Sequence, residues 1–388
     1  MMLLLQNAEI YTPAPAGRAD ILVAGGRIER IAAGTHVEAS YCEVVDATRF
    51  LAVPGFIDSH VHMMGGGGEG GFATRTPALS LSDAARGGVT TVVGCLGTDG
   101  VTRSLPGLLA AARGLDEEGV STFIYTGSYG VPVETMTGSI ERDLLLIDKV
   151  IGAGEVALSD HRSSQPTFDE IARVAAEARR GGILSGKAGV VNVHLGDGRR
   201  GLEMLRRIVA ETEIPSTQFV PTHMNRNPAL FEEGIEWARS GGVVDFTTST
   251  TPAFIAEGEV KCSAGFRRML EAGVDAGQVT FTSDGQGSLP DFDQQGRLRG
   301  LEIGRVSGLF PEVREIVTRE KLTLDQALRV ITANPARILK LRGKGRLEAG
   351  GDADIVLLDA KTLDIACVLA RGRWLMRDGE VVVRGTFE

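Results

Sequence analysis

Apolar residues in this chain gather into short runs, mostly about thirty residues apart, separated by stretches of helical character. Eight such runs can be counted: FIDSHVH from Phe56, VTTVVGCL from Val89, STFIYTG from Ser121, EVALSD from Glu155, VVNVHL from Val190, TQFVPTH from Thr217, VVDFTTS from Val243 and VTFTSD from Val279. Runs that stay nearly continuously apolar suit parallel strands covered on both faces. The segments between them have legible helix ends. Thr167-Phe-Asp-Glu170 and Thr323-Leu-Asp-Gln326 carry capping-box spacing at helix starts. Arg86-Gly87-Gly88, Arg180-Gly181-Gly182 and Arg239-Ser240-Gly241-Gly242 place glycine after a basic last turn. Glycine there predicts a helix stop, because it takes the left-handed conformation at little cost. Eight βα units predict an α/β fold, a TIM-type (β/α)8 barrel over residues 55–343.

The two chain ends break this rhythm. Residues 20–31 (DILVAGGRIERI) read as strand, glycine turn and strand, and the tail from Asp354 reads as short strands with turns at Arg371-Gly372 and Asp378-Gly379. Neither end is long enough to bury a core alone. The expectation is a small β-domain assembled from residues 1–54 and 344–388, with the barrel inserted between them.

Composition narrows the classes of partner. The 388 residues carry a net charge of −9, 43% hydrophobic residues, 14 Pro and no biased tract, which excludes disorder and fibres. Lys and Arg are scattered along an acidic chain, so neither nucleic acid nor an anionic membrane is expected as a partner. No run approaches the roughly 18 apolar residues that span a bilayer, and Met1–Leu5 lacks the marks of a signal peptide, so a cytoplasmic location is expected. Cys42, Cys95, Cys262 and Cys367 are far apart without CxxC spacing, and read as buried thiols, not as disulfides or metal ligands.

The runs tend to end polar, and in a barrel the C-terminal rim of the strands is where chemistry is built. His60 and His62, two apart on one strand, share a face. His194 and His223 end later strands, Asp284 ends the eighth and Glu155 opens the fourth. An HxH pair alone is a weak signal, more often a structural pair in the core than a metal site. Four imidazoles and two carboxylates converging on one axis make a site for borderline divalent ions, Zn first, with ligands enough for two if one carboxylate bridges. His36 reads as a surface residue, and His161, beside Asp160 and Arg162, as a hydrogen-bonded structural group. The glycines at 65–68 lack the Lys-Ser/Thr of a phosphate loop and suit close backbone approach to a substrate.

PGFIDSHVH, residues 54–62, resembles the signature of the amidohydrolase superfamily. GGGGEGGFATRTP from Gly65, YTGSYGVPVETMTGSI from Tyr125, LSDHRS from Leu158, HLGD from His194, PTHMNRN from Pro221 and SDGQGS from Ser283 are similar, in order, to the isoaspartyl (β-aspartyl) dipeptidases. The resemblance implies a metallo-dipeptidase with a small dipeptide substrate, working as a homo-oligomer. It implies one metal on His60 and His62, a second on His194 and His223, and Asp284 as both ligand and acid/base toward a metal-bridged hydroxide. It further implies Glu69 on the substrate ammonium, Arg162, Arg226, Ser288, Thr98 and the Gly67 backbone on its carboxylates, and Tyr129 as hydrogen-bond donor to the oxyanion. Guanidinium forks suit carboxylates, and a carboxylate suits an ammonium. One position departs from the family: the bridging ligand there is a carbamylated lysine, and Glu155 stands in its place as a ready-made carboxylate. Lys149 and Lys187 fall outside that strand-end position. Another amidohydrolase reaction, such as N-acyl-amino-acid deacylation, would use the same metals with a different pocket. A non-catalytic scaffold would require missing ligands.

Overall fold

The computed structural model describes residues 2–38, 40–292 and 298–388. Strands from both chain ends meet in one nine-stranded sheet. Met2–Tyr11 pairs with Pro15–Ala24 antiparallel and with Cys42–Asp46 and Phe50–Pro54 parallel. Ile355–Asp359, from the far end of the chain, zips antiparallel onto Phe50–Pro54, with Ile355 opposite Pro54 and Asp359 opposite Phe50. The alternation of this sheet decides its packing: Leu3, Leu5, Ile10, Ile21, Ile355 and Leu357 point into an apolar cluster of their own. Each such side chain contributes about 1.5–3 kcal/mol on full burial. Lys344 ties the C-terminal segment inward, its buried ammonium 2.6 Å from Asp354 and 2.8 Å from Asp352.

Six parallel strands follow in chain order around a second, curled sheet: Phe56–Val61, Val89–Gly94, Ser121–Thr126, Val150–Leu158, Val190–Leu195 and Phe219–Thr222. Val244–Thr247 and Val279–Thr282 pair in parallel with each other. Backbone bonds reach this pair from both edges of the curled sheet, as Met224 N–H donates to Asp245 C=O at 3.1 Å and His62 N–H to Gly285 C=O at 2.9 Å. Ile57, Val93, Tyr125, Ile151, Val190, Val220 and Val243, from seven of the strands or their edges, share one apolar cluster with Leu339 and Leu341. A larger cluster joins the strands to the surrounding helices, where Phe56 stacks on Phe310 with ring centroids 4.9 Å apart.

Two local expectations need correction. The helix Phe168–Ser185 runs straight through Arg180-Gly181-Gly182 and stops one turn later, at left-handed Gly186. A Cβ at Gly181 would lie 2.8 Å from Leu144 and one at Gly182 would lie 2.6 Å from Gly189, so these glycines serve close helix packing. Glu155 does not open its strand: pairing begins at Val150 and places it sixth of nine residues. Gly152 and Gly154 dilute the strand pattern in front of it, while their missing side chains admit the neighbouring strand, since a Cβ on either would meet a backbone oxygen at 2.6 Å. Both capping boxes are formed, with Glu170 Oε2 accepting from Thr167 N–H at 2.8 Å and Gln326 Oε1 from Thr323 N–H at 3.2 Å. Among the described residues no helix is long and apolar enough to cross a membrane.

Candidate active site

His60 lies inside its strand and His62 one residue beyond it. The bridge between Val61 and Gly285 brings the loop after the last strand alongside, so that Asp284 Oδ1 sits 3.1 Å from His62 Nε2 and 3.7 Å from His60 Nε2. Glu155 reaches into the same space. Its Oε2 is 3.3 Å from His60 Nε2, 3.3 Å from His194 Nδ1 and 3.8 Å from His223 Nε2, and its Oε1 is 3.5 Å from His62 Nε2. All six candidate ligands therefore meet around one carboxylate. Lys187 and Lys149 lie elsewhere, the first bonded to Leu144 and Ile147 carbonyls, the second to Asp116 and the Thr122 carbonyl.

Each outer ring nitrogen of three histidines has a partner that leaves the inner nitrogen facing the cluster. His60 Nδ1 is 3.1 Å from Asn192 Oδ1, His223 Nδ1 is 2.6 Å from Thr247 Oγ1, and His194 Nε2 is 2.9 Å from Asp160 Oδ2. Such outer partners orient imidazoles for metal binding. Burial, with His194 and Arg226 nearby, pushes His223 down to about 3 and keeps it a neutral donor. Burial opposes the charge of Glu155, but the imidazoles around it hold its carboxyl well below the usual range.

A divalent cation fits this arrangement. Among the described residues, His60 Nε2, Glu155 Oε2 and Asp284 Oδ1 are buried atoms without a hydrogen-bond partner, an expensive state for polar groups that a metal would relieve. Two groups of potential ligands share Glu155: His60, His62, Cys95 and Glu155, and Glu155, His194 and His223. The site is thus able to bind metal through nitrogen, oxygen and one sulfur.

Above the cluster lies a cavity of about 530 Å³. Its wall carries Glu69, which accepts from Thr98 Oγ1 at 3.0 Å and Ser288 Oγ at 3.3 Å and faces Arg162 Nη1 at 3.5 Å. Arg162 is held by Asp160 through Nε at 3.0 Å and Nη2 at 2.7 Å. Arg226 lines the same cavity, 3.6 Å from Asp197. Gly67 takes φ +66°, and a Cβ there would strike the Thr74 carbonyl at 2.7 Å and crowd Ser288 at 3.1 Å, so a bare backbone is required at this wall. Tyr129 joins wall to floor, its hydroxyl 2.8 Å from His194 Nδ1; burial raises its pKa and keeps the phenol protonated.

Every expected site residue therefore lies at the cluster or lines the cavity. His161 departs from its reading, with a 92% exposed ring at the cavity rim. His36 is exposed. Cys42 is half-buried and the other three cysteines are buried. Sequence reasoning missed Asp160, which clamps both His194 and Arg162, and the ring-orienting Asn192 and Thr247. Asp160 lies two residues past the strand Val150–Leu158, so reading every polar strand end, and not the histidines alone, would have found it. It also missed the location of Cys95, one residue past the strand Val89–Gly94, a strand-end position like those that marked the histidines.

Residues 51–381 match the amidohydrolase family, and the chain belongs to it. Within that class it is similar to a solved β-aspartyl dipeptidase from the thermophilic, keratin-degrading Fervidobacterium islandicum AW-1 in complex with β-Asp-Leu dipeptide. The two are 48% identical over 98% of each chain, with a TM-score of 0.91. A second β-aspartyl dipeptidase structure from that organism is 46% identical over 98% of each chain, with a TM-score of 0.89. A dihydroorotase from Lactiplantibacillus plantarum is 24% identical over 96% of this chain and 93% of that protein. A D-hydantoinase structure at 16% identity, covering 100% of this chain and 98% of that one with a TM-score of 0.71, shares the fold.

Proposed function

We propose that this chain is a metal-dependent dipeptidase that hydrolyses β-aspartyl dipeptides. The observation that carries the reading is Glu69, a carboxylate cradled by Thr98, Ser288 and Arg162 on the wall of a cavity whose floor is the histidine–carboxylate cluster. The 48% identity to a dipeptidase solved with β-Asp-Leu supports the same substrate class. The curled sheet and the pair of strands between its edges are read as one closed eight-stranded barrel over residues 55–343, with residues 1–54 and 344–388 as a separate β-domain.

Two divalent ions, zinc by the nitrogen and oxygen character of these donors, would be held by His60 with His62 and by His194 with His223, with Glu155 shared and Asp284 at the first. When bound, they would supply Lewis acidity at the scissile carbonyl and activate the attacking water. The chain's own groups do the rest. Asp284 stands at the mouth of the cluster as the base that takes the water's proton and the acid that returns it to the leaving amine. Tyr129, kept protonated by burial, donates to the oxyanion that develops on the carbonyl. Glu69 takes the free α-ammonium, while Thr98, Ser288, the Gly67 backbone and the Arg162 and Arg226 guanidiniums take the carboxylates. Asp160 claims Nε and Nη2 of Arg162, and Nη1, which faces Glu69, is the nitrogen turned to the cavity wall.

A substrate panel tests this assignment. A β-linked aspartyl dipeptide should be cleaved, its α-linked isomer poorly, and the N-acetylated β-linked compound poorly, since it lacks the ammonium for Glu69. Efficient cleavage of the acetylated compound would make the enzyme a deacylase.

A further inference from the structure

We propose that Cys95 is a ligand to the metal at His60 and His62, a role that rests on the metal-dependent reading above. The thiol is 1% exposed and follows the strand Val89–Gly94, beside the strand that carries His60 and leads into His62. Its sulfur lies within 4.8 Å of ligand atoms of His60, His62 and Glu155, and 3.9 Å from His62 Nδ1. Besides these groups it meets the Val61 carbonyl, a weak contact at 3.7 Å. The unpartnered His60 Nε2, Glu155 Oε2 and Asp284 Oδ1, all buried, mark independently the space where a cation belongs.

The chemistry at Glu155 gives the thiol its purpose. A glutamate arm is shorter than that of a carbamylated lysine, so one carboxylate must serve histidines on two sides from a position closer to the strand. Two divalent cations there would face only two carboxylates among neutral imidazoles. A thiolate adds a third negative charge on the His60 and His62 side, and its longer bond to zinc, about 2.3 Å against about 2.0–2.1 Å for imidazole, extends its reach. Gly97 keeps this corner open, because a Cβ there would stand 2.8 Å from the His62 ring and 3.3 Å from Glu155 Oε1. The other cysteines have other surroundings: Cys262 contacts Asn225 and the Thr247 carbonyl, Cys367 packs in the terminal sheet, and Cys42 lies on a terminal strand.

The test reads the metal's ligands directly. The full chain is loaded with zinc, its content is measured by elemental analysis, and X-ray absorption is recorded. The expected spectrum contains a sulfur shell at about 2.3 Å beside the nitrogen and oxygen shell. Cobalt-loaded protein should show a thiolate-to-metal charge-transfer band in the near ultraviolet, lost in Cys95→Ser and retained in Cys262→Ser. Zinc affinity of Cys95→Ser should fall at least about tenfold. Zinc-loaded wild-type protein without a sulfur shell overturns the proposal even if the variant fails to fold, and leaves Cys95 as a holder of the His62 ring. A band that survives in Cys95→Ser also overturns it. Absence of any bound metal would instead overturn the metal-dependent reading itself, and elemental analysis separates the two failures.

Discussion

On the floor of the cavity His60, Glu155 and Asp284 present buried atoms without hydrogen-bond partners, whereas on its wall Glu69 is satisfied from three directions by Thr98, Ser288 and Arg162. The floor is almost wholly buried; the wall is about a third exposed at Glu69. A buried carboxylate among imidazoles has no water to fall back on, so the floor is held in shape by its outer hydrogen bonds and completed by a cation. The wall exchanges one set of polar partners for another when a ligand enters, and solvent screens what remains. Removing a group from the floor should therefore have effects far larger than removing one from the wall.

The largest effect is expected at Glu155. Glu155→Gln keeps the size and loses the charge shared by both halves of the cluster, and breaking such a buried charged set costs about 3–5 kcal/mol, or about 10²–10⁴-fold in metal affinity. Elemental analysis after dialysis, with turnover measured in parallel, checks this; a variant with two tightly held ions and normal turnover would show that another group is shared. Reconstitution should also be indifferent to bicarbonate, because glutamate is already an anion at neutral pH.

Tyr129, at the junction of floor and wall, comes next. Tyr129→Phe should lower kcat by about 10²–10³ with little change in KM, the pattern of a donor used in the transition state. Steady-state kinetics on a β-aspartyl dipeptide gives both numbers, and an unchanged kcat removes the phenol from the reaction. On the wall itself, Thr98→Val loses one hydroxyl bond to Glu69 and should lower kcat/KM only about three- to tenfold. A loss as large as that of Tyr129→Phe would mean that the wall is not the adaptable element described.

The smallest effect is expected at Glu259, which lines the outer cavity. Burial pushes its carboxyl up to about 7, against the lowering influence of Thr250 and Arg226. The folded chain thus holds this proton more tightly than the unfolded one, so stability declines as pH rises from about 4 to about 7 and levels off above that. Glu259→Gln should flatten the decline, as denaturant midpoints across that range would show; an unchanged slope would assign the titration to another group.

Much of this architecture was readable one residue at a time. Strand runs such as VVNVHL, the caps at Thr167 and Thr323, and the His60-Val61-His62 spacing are local properties, because apolar burial on both faces, satisfied helix ends and a two-residue period require only near neighbours. The motifs also determined which residue types would be present at the site. What lay beyond local reading was adjacency. Gly181-Gly182 looked like a helix end and proved to be a packing contact with Leu144 and Gly189, residues outside that helix. Glu155 looked like a strand start because glycines precede it, and only pairing with Val190–Leu195 and Ser121–Thr126 drew Val150–Gly154 into the strand. Asp160 became the clamp of His194 and Arg162, and Cys95 the neighbour of two histidines, because the curled sheet brings consecutive strand ends together. The sequence by itself determined the elements and the stock of ligands; tertiary structure decided which share one low-dielectric space, where a few ångströms separate a structural thiol from a metal-binding one.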